Sequence, residues 1–420
     1  MMSMSPRPEL LSPAGSPSHL DYAFAYGADA VYAGLPRYSL RVRKGGFDAA
    51  SLATGIATAH DLGKRFYLAV NLMPHGAKLR TFVDDIGALV ALGPDALIMA
   101  DPGLIMLVRE RWPELPIHLS VQANTVNAAA VRFWAAQGVE RVILSRELSL
   151  DEIAAIREAC PDTELEVFVH GALCIAYSGR CLLSGYFNHR DANQGVCTNA
   201  CRWRYRLGEV GGAEPEFVLE EGERPGEYMP VFEDEQGTYI MNSRDLRAVE
   251  HVARLIEIGI DCLKIEGRTK SDYYVARTAQ VYRQAIDDAL AGRAFRVDLL
   301  EALEGLANRG YTEGFYRRHG ADPALQNYDC GASRNQRQLF VGEVLAVRDG
   351  WAEVAVRNRF ARGDQLELMS PGGNHPFRLE ALSDREGAPL EVAPGAGWTV
   401  RVRLPEGVVP GARALLTRAV

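Results

Sequence analysis

The stretch ELLSPAGSPSHLDYAFAYGADAVYAG, residues 9–34, decides the fold of the first domain. It holds an apolar pair, a short turn, a helical segment and a second apolar run at residues 30–32. Ser16 is a favoured N-cap residue, Pro17 suits the first helical position, and Gly27 suits the end of the helix. A strand, a helix and a second strand in this order form the unit from which parallel sheets are built.

The same unit recurs along the chain. Its predicted strands are residues 10–11, 30–32, 65–70, 96–99, 117–121, 142–144, 165–169 and 262–265. Strands joined by helical crossovers pair in parallel, and eight such strands are enough to close a barrel. The pattern therefore predicts an α/β fold of the TIM-like (β/α)8 type. An open doubly wound sheet is the competing arrangement.

The alternation of strands and helices is interrupted by one insertion, and a different pattern follows it toward the C-terminus. We predict a catalytic barrel over residues 1–295, with a cysteine-rich insertion at 171–260 before the last strand. Residues 296–336 read as a linker and extension, with a loop near 309–315. From 337 to 420, short alternating runs separated by turns such as Asp349-Gly350 predict a small C-terminal antiparallel β-barrel.

Four of the seven cysteines lie in one window of the insertion, with the spacing C-x6-C-x15-C-x3-C. They are Cys174, Cys181, Cys197 and Cys201. Four thiolates can complete the coordination of a zinc ion or an iron–sulfur cluster. Zinc sites usually use closer pairs, so the spacing favours a cluster. Cys262 lies within a predicted strand and is expected to be a core residue.

Charge and hydropathy limit the classes of protein to which this chain can belong. The formal charge of −8 argues against a general nucleic-acid coat protein but leaves room for a local basic groove. The most apolar stretch, residues 88–108, is broken by prolines and aspartates, so we expect no membrane span. The N-terminal residues lack the apolar core of a signal peptide, and a cytoplasmic location is expected.

Polar side chains follow the predicted strands. Because strand C-termini share one face of such a barrel, this face is the expected active site. His170 stands out because it leads directly into the cysteine segment. The residues of this set are Asn71, His75, Asp101, Gln122, Asn124, Arg146, Glu147, His170, Glu266 and Arg268.

Several of these motifs together resemble the collagenase-like peptidase family, whose better understood members are hydroxylation enzymes. The matching motifs are ELLSPAG (9–15), YGADAVYAG (26–34), DPGLI (101–105), HGALCIAYSGRCLLSGY (170–186), CTNACRW (197–203), IMNSRDL (240–246) and LKIEGRTKS (263–271). The resemblance covers essentially the whole chain. The features YSLRVR (38–43) and FVGEVLAVRDG (340–350) are most similar to its tRNA-hydroxylating subgroup.

The resemblance implies oxygen-independent hydroxylation at C5 of the wobble uridine of tRNA, giving 5-hydroxyuridine. It implies prephenate as the small-molecule hydroxyl donor, and iron–sulfur assembly proteins as accessory partners. It also implies a [4Fe-4S] cluster on Cys174, Cys181, Cys197 and Cys201. Some relatives carry a cysteine just after the SRDL motif, where this chain has Arg247, so the fourth ligand is assigned to Cys201.

Roles for other residues follow from that reaction. Arg41, Arg43, Arg146 and Arg268 are candidates to hold the carboxylates of prephenate, because a guanidinium pairs bidentately with a carboxylate. His170 and Tyr177 are candidates for proton transfer beside the cluster, and Arg268 is grouped with them as catalytic.

Phosphate contacts could come from six further basic residues. They are Lys270, Arg309, Arg317, Arg318, Arg334 and Arg337.

Three alternatives stay open at this level. The same barrel and cysteines could hydroxylate ribosomal RNA or a quinone precursor. The chain could be a collagenase-like peptidase, although neither a nucleophile elbow nor an H-E-x-x-H motif occurs. It could also carry a cluster and bind tRNA without forming product.

Overall fold

The computed structural model describes residues 7–35, 37–39, 46–173, 218–220, 228–230, 232–234, 237–239, 244–317 and 338–420. In chain order, the strands up to residue 312 are β1 (Glu9–Pro13), β2 (Ala30–Ala33), β3 (Arg65–Val70), β4 (Ala96–Met99), β5 (Ile117–Leu119), β6 (Arg141–Ile143), β7 (Glu164–Ala172), β8 (Val218–Glu220), β9 (Tyr228–Pro230), β10 (Phe232–Asp234), β11 (Gly237–Tyr239), β12 (Asp245–Arg247), β13 (Cys262–Ile265) and β14 (Tyr311–Thr312).

Eight of these strands close a parallel barrel. Strands β1 to β7 pair in sequence order, β13 pairs with β1, and β13 also pairs with β7. The last pairing joins the two ends of the sheet, with Glu166 opposite Cys262 and Phe168 opposite Lys264. The predicted TIM-like barrel is therefore confirmed, and the competing open sheet is wrong because an open sheet would leave β7 and β13 as edges.

Helices cover the outside of the barrel. The described α-helices are α1 (Pro17–Ala25), α2 (Ala49–Asp61), α3 (Gly76–Leu79), α4 (Phe82–Val90), α5 (Pro102–Arg111), α6 (Ala128–Ala136), α7 (Leu150–Ala159), α8 (Val252–Ile258), α9 (Asp272–Leu290) and α10 (Asp298–Glu304). As predicted, Ser16 caps α1 by accepting a hydrogen bond from the amide of His19, and Pro17 is its first residue. No helix in the described part of the chain is both long and apolar enough to cross a membrane.

The insertion leaves and rejoins the barrel at the same place. Strand β7 runs past the rim, and its last residues pair antiparallel with β12, with Asp245 opposite Ala172. Strand β14 then pairs parallel with β12. Tyr311 and Thr312 were predicted to lie in a loop; they form a short strand instead because β12 offers an unpaired edge.

Helix α9 joins the barrel to the C-terminal domain. The predicted apolar stripe, which includes Tyr274 and Tyr282, is buried against the barrel. The opposite side is buried as well: Arg277 forms a salt bridge with Glu367 at 2.8 Å, and Gln280 donates to the carbonyl of Ser370. The apolar stripe predicted one buried face of α9, and the C-terminal domain buries a second face.

The C-terminal domain is antiparallel, as predicted. Its strands are β15 (Gln338–Arg348), β16 (Trp351–Val356), β17 (Phe360–Ala361), β18 (Gln365–Ser370), β19 (Gly373–Arg378), β20 (Leu382–Ser383), β21 (Val392–Ala393), β22 (Thr399–Arg403) and β23 (Leu415–Ala419). Seven form one sheet in the order β19-β18-β23-β15-β16-β22-β20, and β17 pairs with β21. The sheets enclose a core of their own. The predicted turn at Asp349-Gly350 connects β15 to β16.

Candidate functional site at the carboxyl end of the barrel

The site is assembled where β7 and β13 end side by side. Ile265 is the register partner of His170, and the amide of Glu266 donates to the carbonyl of His170 at 2.8 Å. The next residue, Gly171, has a φ of +113°, and a Cβ there would stand 2.4 Å from the carbonyl oxygen of Glu266. Only glycine permits this approach, which holds the end of β7 against the loop that carries Arg268.

His170 is enclosed by tyrosines. Its side chain is buried, and the rings of Tyr274, Tyr282 and Tyr311 lie with centroids 5.5 to 5.7 Å from the imidazole. The hydroxyl of Tyr282 donates to the carbonyl of Val169 at 2.7 Å and lies 3.3 Å from Nδ1 of His170. Since that hydroxyl proton is already used, the contact places a proton on Nδ1 and leaves Nε2 of His170 as an acceptor.

This environment keeps the imidazole neutral. Burial, with a smaller effect from the nearby cations Lys270 and Arg247, lowers the pKa of His170 to about 3. Among the described residues, Nε2 of His170 has no hydrogen-bond partner. The predicted role of His170 is proton transfer. A neutral imidazole with so low a pKa can accept a hydrogen bond at Nε2, but near neutral pH it is a weak base and cannot act as an acid.

Arg268 lies in the loop after β13 and is held by contacts with the loop after β2 and with β2 itself. Its Nη1 donates to Oγ of Ser39 at 2.8 Å, and its guanidinium lies 5.5 Å from the ring of Tyr32. At Gly34 an added Cβ would stand 2.2 Å from Oγ of Ser39 and 2.9 Å from Nη1 of Arg268. The loop after β2 therefore needs glycine in order to approach the guanidinium. The structure places Arg268 at the barrel mouth, while its catalytic role stays a prediction.

Arg146 follows β6 and leans over the end of β7. Its guanidinium lies 4.7 Å from the ring of Phe168, and its Nη1 donates to the carbonyl of Ala172 at 2.9 Å. Together with Arg268 and Lys270, it brings several cations to this end of the barrel, whereas Arg247 there is paired with Glu304. These cations favour an anionic ligand, such as a carboxylate or an iron–sulfur cluster bound by thiolates.

The other predicted site residues lie outside the described residues. They are Arg41, Arg43, Tyr177, Cys174, Cys181, Cys197 and Cys201. The described chain on either side of them is informative. Leu173 follows the end of β7, and β12 brings the chain back beside Ala172. The carbonyl of Tyr38 accepts from the amide of Leu72, just past β3. Both segments are thus attached at the barrel mouth.

Some of the predicted polar residues are used structurally. Asp101 caps α5 by accepting from the amide of Leu104 at 2.9 Å. Arg309 is buried and ion-paired with Asp245, so it does not face solvent as a phosphate contact would.

Two more of the predicted phosphate-binding residues contact other side chains of the protein, and three lie outside the described residues. Arg317 lies 2.8 Å from Glu250 and 3.1 Å from Glu313, and Lys270 lies over the ring of Tyr274. Arg318, Arg334 and Arg337 lie outside the described residues.

Sequence reasoning missed a buried ionic network inside the barrel. Nη1 of Arg141 lies 2.7 Å from Glu9 and 3.5 Å from Glu166, and Nζ of Lys264 lies 2.7 Å from Glu166. The signal was present, since Glu9, Arg141 and Lys264 are each the only charged residue of their strand, and Glu166 lies between two apolar residues of β7. Cys262 is fully buried in the same region, and burial raises the pKa of its thiol. Its predicted place in the core is confirmed.

Comparison with known proteins identifies the relatives. Residues 15–325 match the sequence model described as Peptidase family U32, and residues 336–413 match the one described as Peptidase family U32 C-terminal domain. The chain is 59% identical over 428 residues to tRNA hydroxylation protein P of Escherichia coli K12, covering 95% of this chain and 94% of that one. It is 35% identical to tRNA hydroxylation protein P1 of Bacillus subtilis 168, covering 96% and 93%.

One relative is named for a different RNA. The 23S rRNA 5-hydroxycytidine C2501 synthase of Escherichia coli K12 is 31% identical, over 88% of this chain and 53% of that protein. Among solved structures, the U32 peptidase Mk0906 is similar with a TM-score of 0.39 and 16% identity, over 64% of this chain and 96% of that one. The barrel assignment itself depends on the strand pairings described above.

Proposed function

The chain belongs to peptidase family U32, and we propose that it hydroxylates tRNA at C5 of the wobble uridine, giving 5-hydroxyuridine. The observation that carries the proposal is the 59% identity to a protein named for tRNA hydroxylation, extending over nearly the whole of both chains. The ribosomal RNA enzyme is a second candidate, but this chain spans only 53% of it.

The proposed chemistry follows the resemblance set out above. Cys174, Cys181, Cys197 and Cys201 would hold a [4Fe-4S] cluster, and their segment is attached at both ends to the rim of the barrel. The cations Arg146, Arg268 and Lys270 at the rim support this assignment, because a [4Fe-4S] cluster with four thiolate ligands carries net negative charge. When bound, the cluster supplies one-electron redox chemistry.

The protein's own residues would bind and orient the reactants. Arg146 and Arg268, which are held at the barrel mouth by hydrogen bonds, would bind the carboxylates of prephenate together with Arg41 and Arg43. The target uridine has to leave the base stack before its C5 can reach a site inside the rim. His170 would act as a hydrogen-bond acceptor at Nε2, because its low pKa keeps the imidazole neutral. Tyr177 would be the partner group for proton transfer.

A peptidase is the alternative that the family description itself raises. The described thiols do not favour it. Cys160 and Cys262 are both buried, and the raised pKa of Cys262 is the opposite of what a thiolate nucleophile requires. Gelatin cleavage by the purified protein that survives loss of Cys174 would revive this alternative.

The test is nucleoside mass spectrometry of tRNA from a deletion strain that has no second hydroxylation route. We expect 5-hydroxyuridine derivatives to disappear and to return with the wild-type protein but not with Cys174→Ala. Cys160→Ala is the matched control, since this buried cysteine lies outside the cysteine window and should support modification. An unchanged tRNA profile in the deletion strain would refute the proposal and make 23S rRNA the next substrate to test.

A further inference from the structure

The outer face of the C-terminal sheet carries a row of arginines around one indole. Strands β16 and β22 alternate buried and outward residues, which places Trp351, Arg401 and Arg403 outward. Trp351 pairs across strands with Arg348 on one side and with Arg403 on the other. Cross-strand partners share a face, so these four residues form one cluster, the Trp351 cluster.

The indole holds two of the guanidinium groups in place. The guanidinium carbons of Arg401 and Arg403 lie 5.4 and 5.8 Å from the ring centroid of Trp351. Nη1 of Arg403 also donates to the carbonyl of Asp349 at 2.7 Å. Cation–π contact at these distances is favourable and reduces the side-chain entropy that a ligand would otherwise have to remove.

These arginines differ from others in the domain. Across residues 338–420, all of which are described, Arg348, Arg401 and Arg403 form no salt bridge with a carboxylate. By contrast, Arg357 lies 2.8 Å from Glu343, and Arg362 lies 3.3 Å from Glu391.

The nearby acid does not neutralise the cluster. Glu353 shares the outward face as the cross-strand partner of Arg401, and it accepts hydrogen bonds from Arg385 at 2.9 and 3.1 Å. Arg348, Arg401 and Arg403, together with Arg385, outnumber this carboxylate, so the surface keeps an excess of positive charge.

The face is also clear of the contacts that dock this domain on the barrel. Those contacts come from other strands: the hydroxyl of Tyr26 donates toward the carbonyl of Met369, Arg277 pairs with Glu367, and Arg413 pairs with Asp21. Among the described residues, the Trp351 cluster takes no part in them. It is thus available to a partner while the two domains stay docked.

We propose that the Trp351 cluster is an RNA-docking surface that holds the body of the tRNA while the barrel acts on the wobble base. The inference rests on the proposed tRNA substrate. Arg348 and Arg403 stand two strand spacings apart, about 10 Å, and so can reach separate phosphates. Guanidinium planes also provide stacking surfaces for unpaired bases, which an acidic peptide would not use.

The probe is an unmodified tRNA transcript with a wobble uridine, labelled for fluorescence anisotropy and titrated with the full-length protein between about 50 and 200 mM salt. The test variant is Arg401→Gln with Arg403→Gln. The matched control is Arg357→Gln with Arg362→Gln, which removes the same charge from arginines that already have carboxylate partners. Thermal unfolding of each variant checks that the fold is kept.

We expect the test variant to bind at least about tenfold more weakly, because two charge-assisted contacts are lost. The slope of log affinity against log salt should become shallower by about 1.4 to 1.8, from 0.7 to 0.9 per phosphate. Trp351→Leu should weaken binding several-fold but leave the slope unchanged, since it removes no charge. The control pair should stay within about twofold of wild type.

Equal affinity and slope for the two double variants would overturn the surface and leave the proposed function standing. So would a test variant that fails to modify tRNA in cells yet binds the transcript normally, since that pattern would indicate a protein partner. Failure of the wild type to bind the transcript at all would also overturn it. The proposed function is judged separately, by the nucleosides of the deletion strain.

Discussion

Replacing Lys264 by methionine should remove about 3 to 5 kcal/mol from the free energy of unfolding of the barrel. The lysine lies 2.7 Å from Glu166, with side-chain exposures of 4% and 0%. Methionine keeps the length of the chain but leaves the carboxylate of Glu166 buried, with Arg141 at 3.5 Å as its remaining cation. At about 1.4 kcal/mol per tenfold, the loss corresponds to roughly two to three and a half decades in the folding equilibrium.

Urea denaturation followed by far-UV circular dichroism is a suitable assay. All described α-helices lie between Pro17 and Glu304, so the helical signal reports the barrel and not the C-terminal sheets. The control is Lys64→Met, because Lys64 is partly exposed and lies 3.6 Å from Asp29; its loss should cost less than about 1 kcal/mol.

A double-mutant cycle separates the ion pair from simple packing. Adding Glu166→Gln to Lys264→Met removes the uncompensated charge, so the double variant should recover part of the loss. The reasoning would be refuted if Lys264→Met cost no more than Lys64→Met, or if the two substitutions at the pair were additive.

Three further outcomes are expected. The pKa of His170 is about 3 in the folded protein against an ordinary 6.5, so its contribution to the free energy of unfolding is full above pH 6.5 and is lost as pH falls toward 3. The free energy of unfolding that wild type loses between pH 7 and 5 should therefore be about 2 kcal/mol smaller in His170→Asn. Equal losses in the two proteins would contradict the burial argument. Gly34→Ala should lower tRNA modification at least about tenfold, because its Cβ would stand 2.2 Å from a hydroxyl oxygen, whereas Gly76→Ala has nothing within 4 Å and should be neutral. Iron analysis of anaerobically purified protein should find iron in Cys160→Ala and a large loss in Cys174→Ala; equal iron contents would count against the proposed ligands.

The contact between the two domains has a consequence for these experiments. Arg277 is buried against Glu367, and the hydroxyl of Tyr26 reaches the carbonyl of Met369. Because Arg277 of α9 and Tyr26, which follows α1, have polar partners in the C-terminal domain, removing that domain would leave both groups without those partners. Full-length protein is therefore the right material for both the binding and the stability measurements.

The sequence by itself determined the order and type of the elements. Strand and helix periods are local properties, so the eight strands, the cap at Ser16 and the turn at Asp349-Gly350 could all be predicted from neighbouring residues. Turn chemistry and apolar alternation likewise predicted the antiparallel C-terminal domain. The motif from His170 to the cysteines predicted a candidate site at the end of β7; the structure places His170 there, and the site itself stays a prediction.

Only the tertiary structure decided which distant residues meet. The pairing of β7 with β13 closed the barrel, and the pairing of β12 with β7 brought the insertion back to the rim. The neutral state of His170 depends on three tyrosines far along the chain. Glu166 has its ionic partners on other strands, and Arg403 contacts the ring of Trp351 on a neighbouring strand. Such contacts join residues that are remote in sequence, and a local pattern carries no information about what stands opposite it in space.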